Sequence, residues 1–176
     1  MGSDIIKIEA VKQNVDATEA ELLLERVSAD FKPRVQRIIY YPYFWYYFRY
    51  RVKTIFGVRE IHVPCIVDSR NKQAATVDEF EIETINTDPV DVLEPKIRDE
   101  EALKIAKSYV VHVVIHRLKS LLFPELELEG RKFLYKPFWI VKCTNRKNES
   151  FKVMVDGITG KYQILSVDQS NMGAKE

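Results

Sequence analysis

Two cysteines, Cys65 and Cys143, are all that 176 residues contain. They cannot make a disulfide framework, their spacing fits no metal motif, and two such thiols suit a reducing compartment. Glycine is scarce as well, at six residues. No P-loop, no Gly-rich dinucleotide fingerprint and no G-x-S-x-G elbow is present, so the local signatures of phosphate cradling and of a nucleophile elbow are missing. No Cys–His pairing appears either, and no catalytic residue is assigned. Long apolar runs are lacking: Tyr109 to Ile115, bounded and broken by His116 and His112, is far short of the roughly 20 residues that span a bilayer. The opening Met1-Gly2-Ser3-Asp4 has neither a basic nor an apolar leader region, so a cytoplasmic location is expected. Net charge is only +1 with a pI near 7.7, which weighs against nucleic acid as a partner.

What the chain does have is enough apolar content, 46%, to build a packed core, and a lopsided charge distribution. Lys32 to Arg59 holds seven Lys or Arg and no acid, whereas Asp78 to Glu101 holds ten Asp or Glu against Lys96 and Arg98. Ile5 to Val11 reads as a short strand. Thr18-Glu19-Ala20-Glu21 has the spacing of a capping box, and Leu23, Leu24, Val27 and Phe31 follow on one helical face up to Pro33. Ile38 to Val52 is extended and dense in aromatics, and Pro42 suggests a sheet edge or bulge there. Turns at Gly57 and at Asp68 to Asn71 separate two further strands. Asn86 to Pro89 and Glu94-Pro95 mark a linker. A second helix opens on Asp99-Glu100-Glu101, where acids suit the dipole, and stops at Pro124. Strands then run from Lys132 to Thr144, Phe151 to Val155 and Lys161 to Val167.

The two halves show the same order: capped helix, aromatic strand, hairpin, Val-Asp, last strand. Tyr41-Pro42-Tyr43-Phe44-Trp45 aligns with Tyr135-Lys136-Pro137-Phe138-Trp139 through its Phe-Trp pair, and Val67-Asp68 with Val155-Asp156. The expected fold class is therefore α+β, built from two repeated modules, each a helix packed on a small antiparallel sheet. The first spans 1–83, an acidic Pro-containing linker 84–98, the second module 99–168 and a tail 169–176. In this register Phe44 and Phe138 should be buried in equivalent places, each under the helix of its own half.

The second half resembles a PepSY-type domain over about residues 98–166. Asp99-Glu100-Glu101-Ala102-Leu103-Lys104-Ile105-Ala106 stands at the helix start, Phe138-Trp139-Ile140-Val141 in the next strand, and Phe151 to Val155 leads into Asp156-Gly157-Ile158-Thr159-Gly160-Lys161. The first half lacks both turn glycines and joins the resemblance only through the internal repeat. The resemblance implies a PepSY/cystatin-like fold and a non-catalytic module that binds or regulates another protein, often a peptidase, usually outside the cytoplasm.

Along the aromatic stretch, period two separates Ile38, Tyr40, Phe44, Tyr46, Phe48, Tyr50 and Val52 from Ile39, Tyr41, Tyr43, Trp45, Tyr47, Arg49 and Arg51. The first set reads as core. The second, rings followed by arginines, has the composition of a partner-binding surface. Packing against a neighbouring element would also account for the rings. The expected function is a non-catalytic protein-binding or regulatory module; base stacking on the aromatic and basic face is the alternative, and a peripheral membrane contact a third reading. His112 and His116 have i, i+4 chelating spacing but no H-E-x-x-H order, so they read as exposed side chains. No cofactor and no metal is expected. The partner's identity and the oligomeric state are not legible.

Overall fold

Aspartate starts the first helix. The computed structural model describes residues 5–118 and 126–167. Strand β1 (Ile6–Val11) leads to helix α1 (Ala17–Val27), where the Asp16 carboxylate accepts from the Glu19 amide at 2.8 Å and Glu19 accepts from the Asp16 amide at 2.9 Å. The reciprocal box expected at Thr18–Glu21 forms two residues earlier, because aspartate caps at least as well as threonine. The helix ends at Val27, well before Pro33.

Strand β2 (Lys32–Thr54) carries the aromatic stretch, and β3 (Gly57–Asp68) returns against it, from Tyr43 opposite Asp68 to Thr54 opposite Gly57. Strands β4 (Ala74–Thr76) and β5 (Ile82–Thr87), a 3-10 turn (Pro89–Asp91) and helix α2 (Asp99–Leu118) follow. The chain continues with β6 (Leu126–Thr144), β7 (Ser150–Asp156) and β8 (Tyr162–Val167). The strands hydrogen-bond in the order β4-β3-β2-β6-β1-β5, with β7 on β6 and β8 on β7.

This is one mixed eight-stranded sheet, 53% strand and 21% helix, with two α-helices among the described residues. The expected pair of repeated modules, each a helix on its own small sheet, is overturned. The cause is strand length: β2 has 23 residues and β6 has 19, several times the usual five or six, and the two pair with each other. Pro42 accordingly sits inside a central strand, at the point where pairing with β3 stops, so its missing N–H leaves no rung of that ladder empty. The expected linker is structured too, since β5 pairs with β1 from Ile82 opposite Val11 to Thr87 opposite Ile6.

Two compact units form, and neither is contiguous. Unit 1 takes the chain up to Tyr41, Glu81–Leu93 and the chain from Lys136; unit 2 takes Pro42–Phe80 and Glu94–Tyr135. In unit 2, α2 lays Ala102, Ala106, Val110 and Val114 over Tyr46, Phe48 and Tyr50 of β2 and Val63, Cys65 and Val67 of β3. Small helix residues over large rings fill the layer without overpacking. In unit 1, α1 lays Ala20 and Leu24 over Val141 and Cys143 of β6 and Val153 and Val155 of β7. Each helix thus covers the hairpin of the opposite half of the sequence. Both cysteines are buried free thiols in these layers.

The two Asp turns are alike in detail. Asp68 Oδ1 accepts from the amides of Arg70 and Asn71 at 2.8 and 2.9 Å; Asp156 Oδ1 accepts from those of Ile158 and Thr159 at 2.9 and 3.2 Å. The Lys72 and Gly160 amides each return to the carbonyl of their own aspartate at 2.9 Å, from φ of +59° and +69°. Just past the aspartates, the Ser69 and Gly157 amides donate to the Pro42 and Pro137 carbonyls. The matching residues are therefore Pro42 and Pro137, and the Phe-Trp register read from the sequence is off by one. Phe138 lies opposite Asp156 as Tyr43 lies opposite Asp68, while Trp139, opposite Val155, takes the place of Phe44, opposite Val67.

Candidate partner-binding face

Because α2 covers one side of β2, only one of the two alternating sets can be core. Phe44, Tyr46, Phe48 and Tyr50 are buried beneath α2; Tyr43, Trp45, Tyr47 and Arg49 are half-buried on the other face, and Arg51 is exposed. Tyr41 does not join them. It belongs to unit 1, where its ring meets Phe138 edge-on at 6.0 Å. Buried positions along β2 change parity between Ile39 and Pro42, so each unit buries its own alternate set of side chains from this one strand.

The rings form a short column. Trp45 stacks on Tyr47 (centroids 5.8 Å, planes 14° apart), Tyr47 stacks on His62 of β3 (5.4 Å, 9°), and Phe80 meets Trp45 edge-on at 6.4 Å. Gly130 of β6 lies against the column: a Cβ there would stand 3.4 Å from Trp45 Cζ3 and 3.5 Å from Tyr47 Cβ. Such a Cβ would make ordinary van der Waals contact with the rings.

The arginines are held by carboxylates that period-two reading of β2 could not find. Arg49 Nη2 reaches Glu127 at 2.6 Å and its Nη1 reaches Glu60 at 3.4 Å. Its Nε stands 3.1 Å from Glu129 without hydrogen-bond alignment. The bond from Glu127, helped by the neighbouring charges, pushes the guanidinium above its ordinary value against some desolvation. Arg51 Nε bonds Glu60 at 3.0 Å, and His62 Nε2 lies 3.3 Å from Glu129. Two arginines thus face three carboxylates, and only 20% of the Arg49 side chain is exposed, against 59% for Arg51. Missing from the sequence-derived set were His62, Phe80, Gly130 and the three glutamates; Glu127 and Glu129 alternate in sequence, which was their one available signal.

Elsewhere, unit 1 has a cleft of about 350 Å³ walled in part by Lys12, Gln13, Tyr40 and Glu83. Burial first, then Glu83 and Asp91, push the Tyr40 phenol up, and Lys12 is tied to Glu81 at 2.7 Å. His112 and His116 are exposed on α2 with ring centroids 4.1 Å apart, and no group of three or more His, Cys, Asp or Glu among the described residues is placed to hold a metal. No described helix is long and apolar enough to cross a membrane.

No family model, curated protein or solved structure matches the chain.

Proposed function

We propose that the chain is a non-catalytic binding or regulatory module whose partner is a protein, contacted through the Tyr43, Trp45, Tyr47 and His62 face of unit 2. The observation that carries this reading is the column of half-buried Trp45 and Tyr47 with exposed His62, lying against Gly130 and fixed at one end by the Arg49 carboxylate cluster. Large rings held rigid before binding offer contact area at little entropic cost, the property that makes Trp and Tyr frequent anchors. Arg51, more exposed and held by a single carboxylate, is the cation available at the rim. This is also the kind of function that the PepSY resemblance implies.

The base-stacking alternative draws on the same rings but loses the Arg49 guanidinium, which already faces three carboxylates, and keeps Arg51 as its one nearby cation. Affinity capture with the full chain tests the reading, using Tyr47→Ala and His62→Ala as controls. Proteins retained by the wild type should be lost with both variants while their melting curves stay cooperative. Identical retention by all three would remove this face from consideration. Oligonucleotide retention that weakens steeply with salt would favour the alternative.

A further inference from the structure

The tip of the β2–β3 hairpin is apolar where hairpin tips are ordinarily polar. Thr54 pairs with Gly57, so Ile55 and Phe56 are the two residues of the turn, 93% and 94% exposed. Val58 beside them is 63% exposed. Two-residue turns usually take Asn, Asp or Gly, which suit the backbone and the solvent. Here neither Ile55 nor Phe56 takes a positive φ; Gly57 does, at +119°. Backbone geometry therefore gives no reason for an Ile-Phe pair, and a β-branched residue followed by an aromatic ring gains no burial at such a tip.

The hairpin also extends past the core. Val52 and Ile61 are the last residues to pack against the layer under α2, and positions 55–60 are all exposed. At about 3.3 Å per residue, the turn stands about 10 Å beyond Val52. That is the depth to which interfacial elements bury apolar side chains in the boundary between headgroups and acyl chains. Charge indicates which surface would receive it: from Arg51 to Glu60 the sequence carries Arg51, Lys53 and Arg59 against Glu60, which bonds Arg51, so the hairpin end is net cationic. An apolar point with a cationic collar is complementary to anionic headgroups over hydrocarbon.

We infer that the Ile55–Phe56 tip inserts into an anionic lipid surface, with Arg59 meeting the headgroups. The inference does not depend on the aromatic face, and its test involves no protein partner. The full chain is sedimented with vesicles of phosphatidylcholine and phosphatidylserine, at about 3:1, and with phosphatidylcholine alone. Retention is expected on the mixed vesicles, weaker on the neutral ones, and reduced by raised salt. The Ile55→Ser/Phe56→Ser double variant should lose about tenfold or more of the partition, with an unchanged melting temperature because both positions are exposed. Arg59→Glu should remove the preference for the anionic lipid, and Phe56→Trp should bind as the wild type does with blue-shifted emission. No retention on either vesicle, equal retention of the double variant, or Phe56→Trp emission unmoved by bound vesicles each overturns the inference. The first outcome would leave an apolar groove on another protein as the occupant.

Discussion

The Tyr46 hydroxyl lies 2.9 Å from Oδ1 of Asp99, the first residue of α2, and 3.0 Å from the Asp99 carbonyl oxygen. The ring is fully buried in β2, so its one polar atom comes out of the core at the start of the helix that covers it. Arg131 holds the other carboxylate oxygen at 3.1 Å. Burial first, then the bond to Asp99, push the phenol far above its ordinary value. Tyr46→Phe should keep the packing and lose the bond, at a cost of about 1–1.5 kcal/mol. Denaturant melts measure it, and an unchanged midpoint would mean that the bond contributes nothing to fixing α2.

Arg49 and Arg51 should respond differently to truncation. Arg49→Ala leaves Glu60, Glu127 and Glu129 facing one another with one cation fewer, whereas Arg51→Ala removes a single, more exposed pair. The first should lower the denaturation midpoint clearly more than the second, and added salt should narrow the gap by screening the carboxylates. Arg49→Lys should not restore it, since an ammonium cannot span the three positions a guanidinium fork reaches. Equal midpoints for the two alanine variants would contradict the cluster.

Lys72 and Gly160 occupy the same left-handed position in the two Asp turns. Lys72→Gly relieves the Cβ cost, about 1 kcal/mol, and gives up an exposed 2.8 Å pair with Glu101 that contributes roughly 0–1 kcal/mol. The expected balance is neutral to slightly stabilising. Gly160→Ala should cost about 1–2 kcal/mol, because it adds the conformational strain and brings a Cβ to 2.9 Å from Leu23 Cδ1. Thermal melts of both variants check the sign; a stabilising Gly160→Ala would contradict the geometry.

Asp156 should shape the acid limb of stability. Burial alone would raise its carboxyl, but the Lys136 ammonium at 2.6 Å, the Ile158 amide and the Thr159 side chain outweigh burial and hold it below its ordinary value. Unfolded, it titrates near the usual value of about 3.9. Between the folded and unfolded values the unfolded chain binds more protons, so stability rises with pH there. Its contribution is fully present above the unfolded value and is lost as pH falls through the folded one. Asp156→Ala should cost about 2–3 kcal/mol at neutral pH, and Asp156→Asn should flatten the loss of stability below about pH 4. An acid limb unchanged in Asp156→Asn would show that other carboxylates set it.

Both thiols should be silent in the native protein. Burial pushes Cys65 up to about 12, against a small opposing effect of the Ala75 backbone, and burial likewise raises Cys143. A thiol reagent at mildly alkaline pH should titrate neither thiol in the folded chain and both after denaturation. Rapid native labelling of either would mean that its layer opens locally.

Local features followed from the sequence alone. Period two placed Phe44, Tyr46, Phe48 and Tyr50 in the core and the opposite set outside it, because alternation is a property of a single strand. The two Asp turns were legible through Val-Asp, since an aspartate two and three residues before free amides makes its own turn. Tertiary structure decided what depends on partners distant in sequence. Nothing local says that α1 covers the hairpin ending at Asp156 and α2 the one ending at Asp68, because an apolar helix face fits either layer of similar side chains. Nor does anything local show that the carboxylates around Arg49 come from Glu127 and Glu129, 78 and 80 residues along the chain. The division of the chain after Tyr41 took that residue out of the predicted face. Period two cannot foresee such a division, since the length of β2 lets one strand serve two cores, and each core buries its own alternate set.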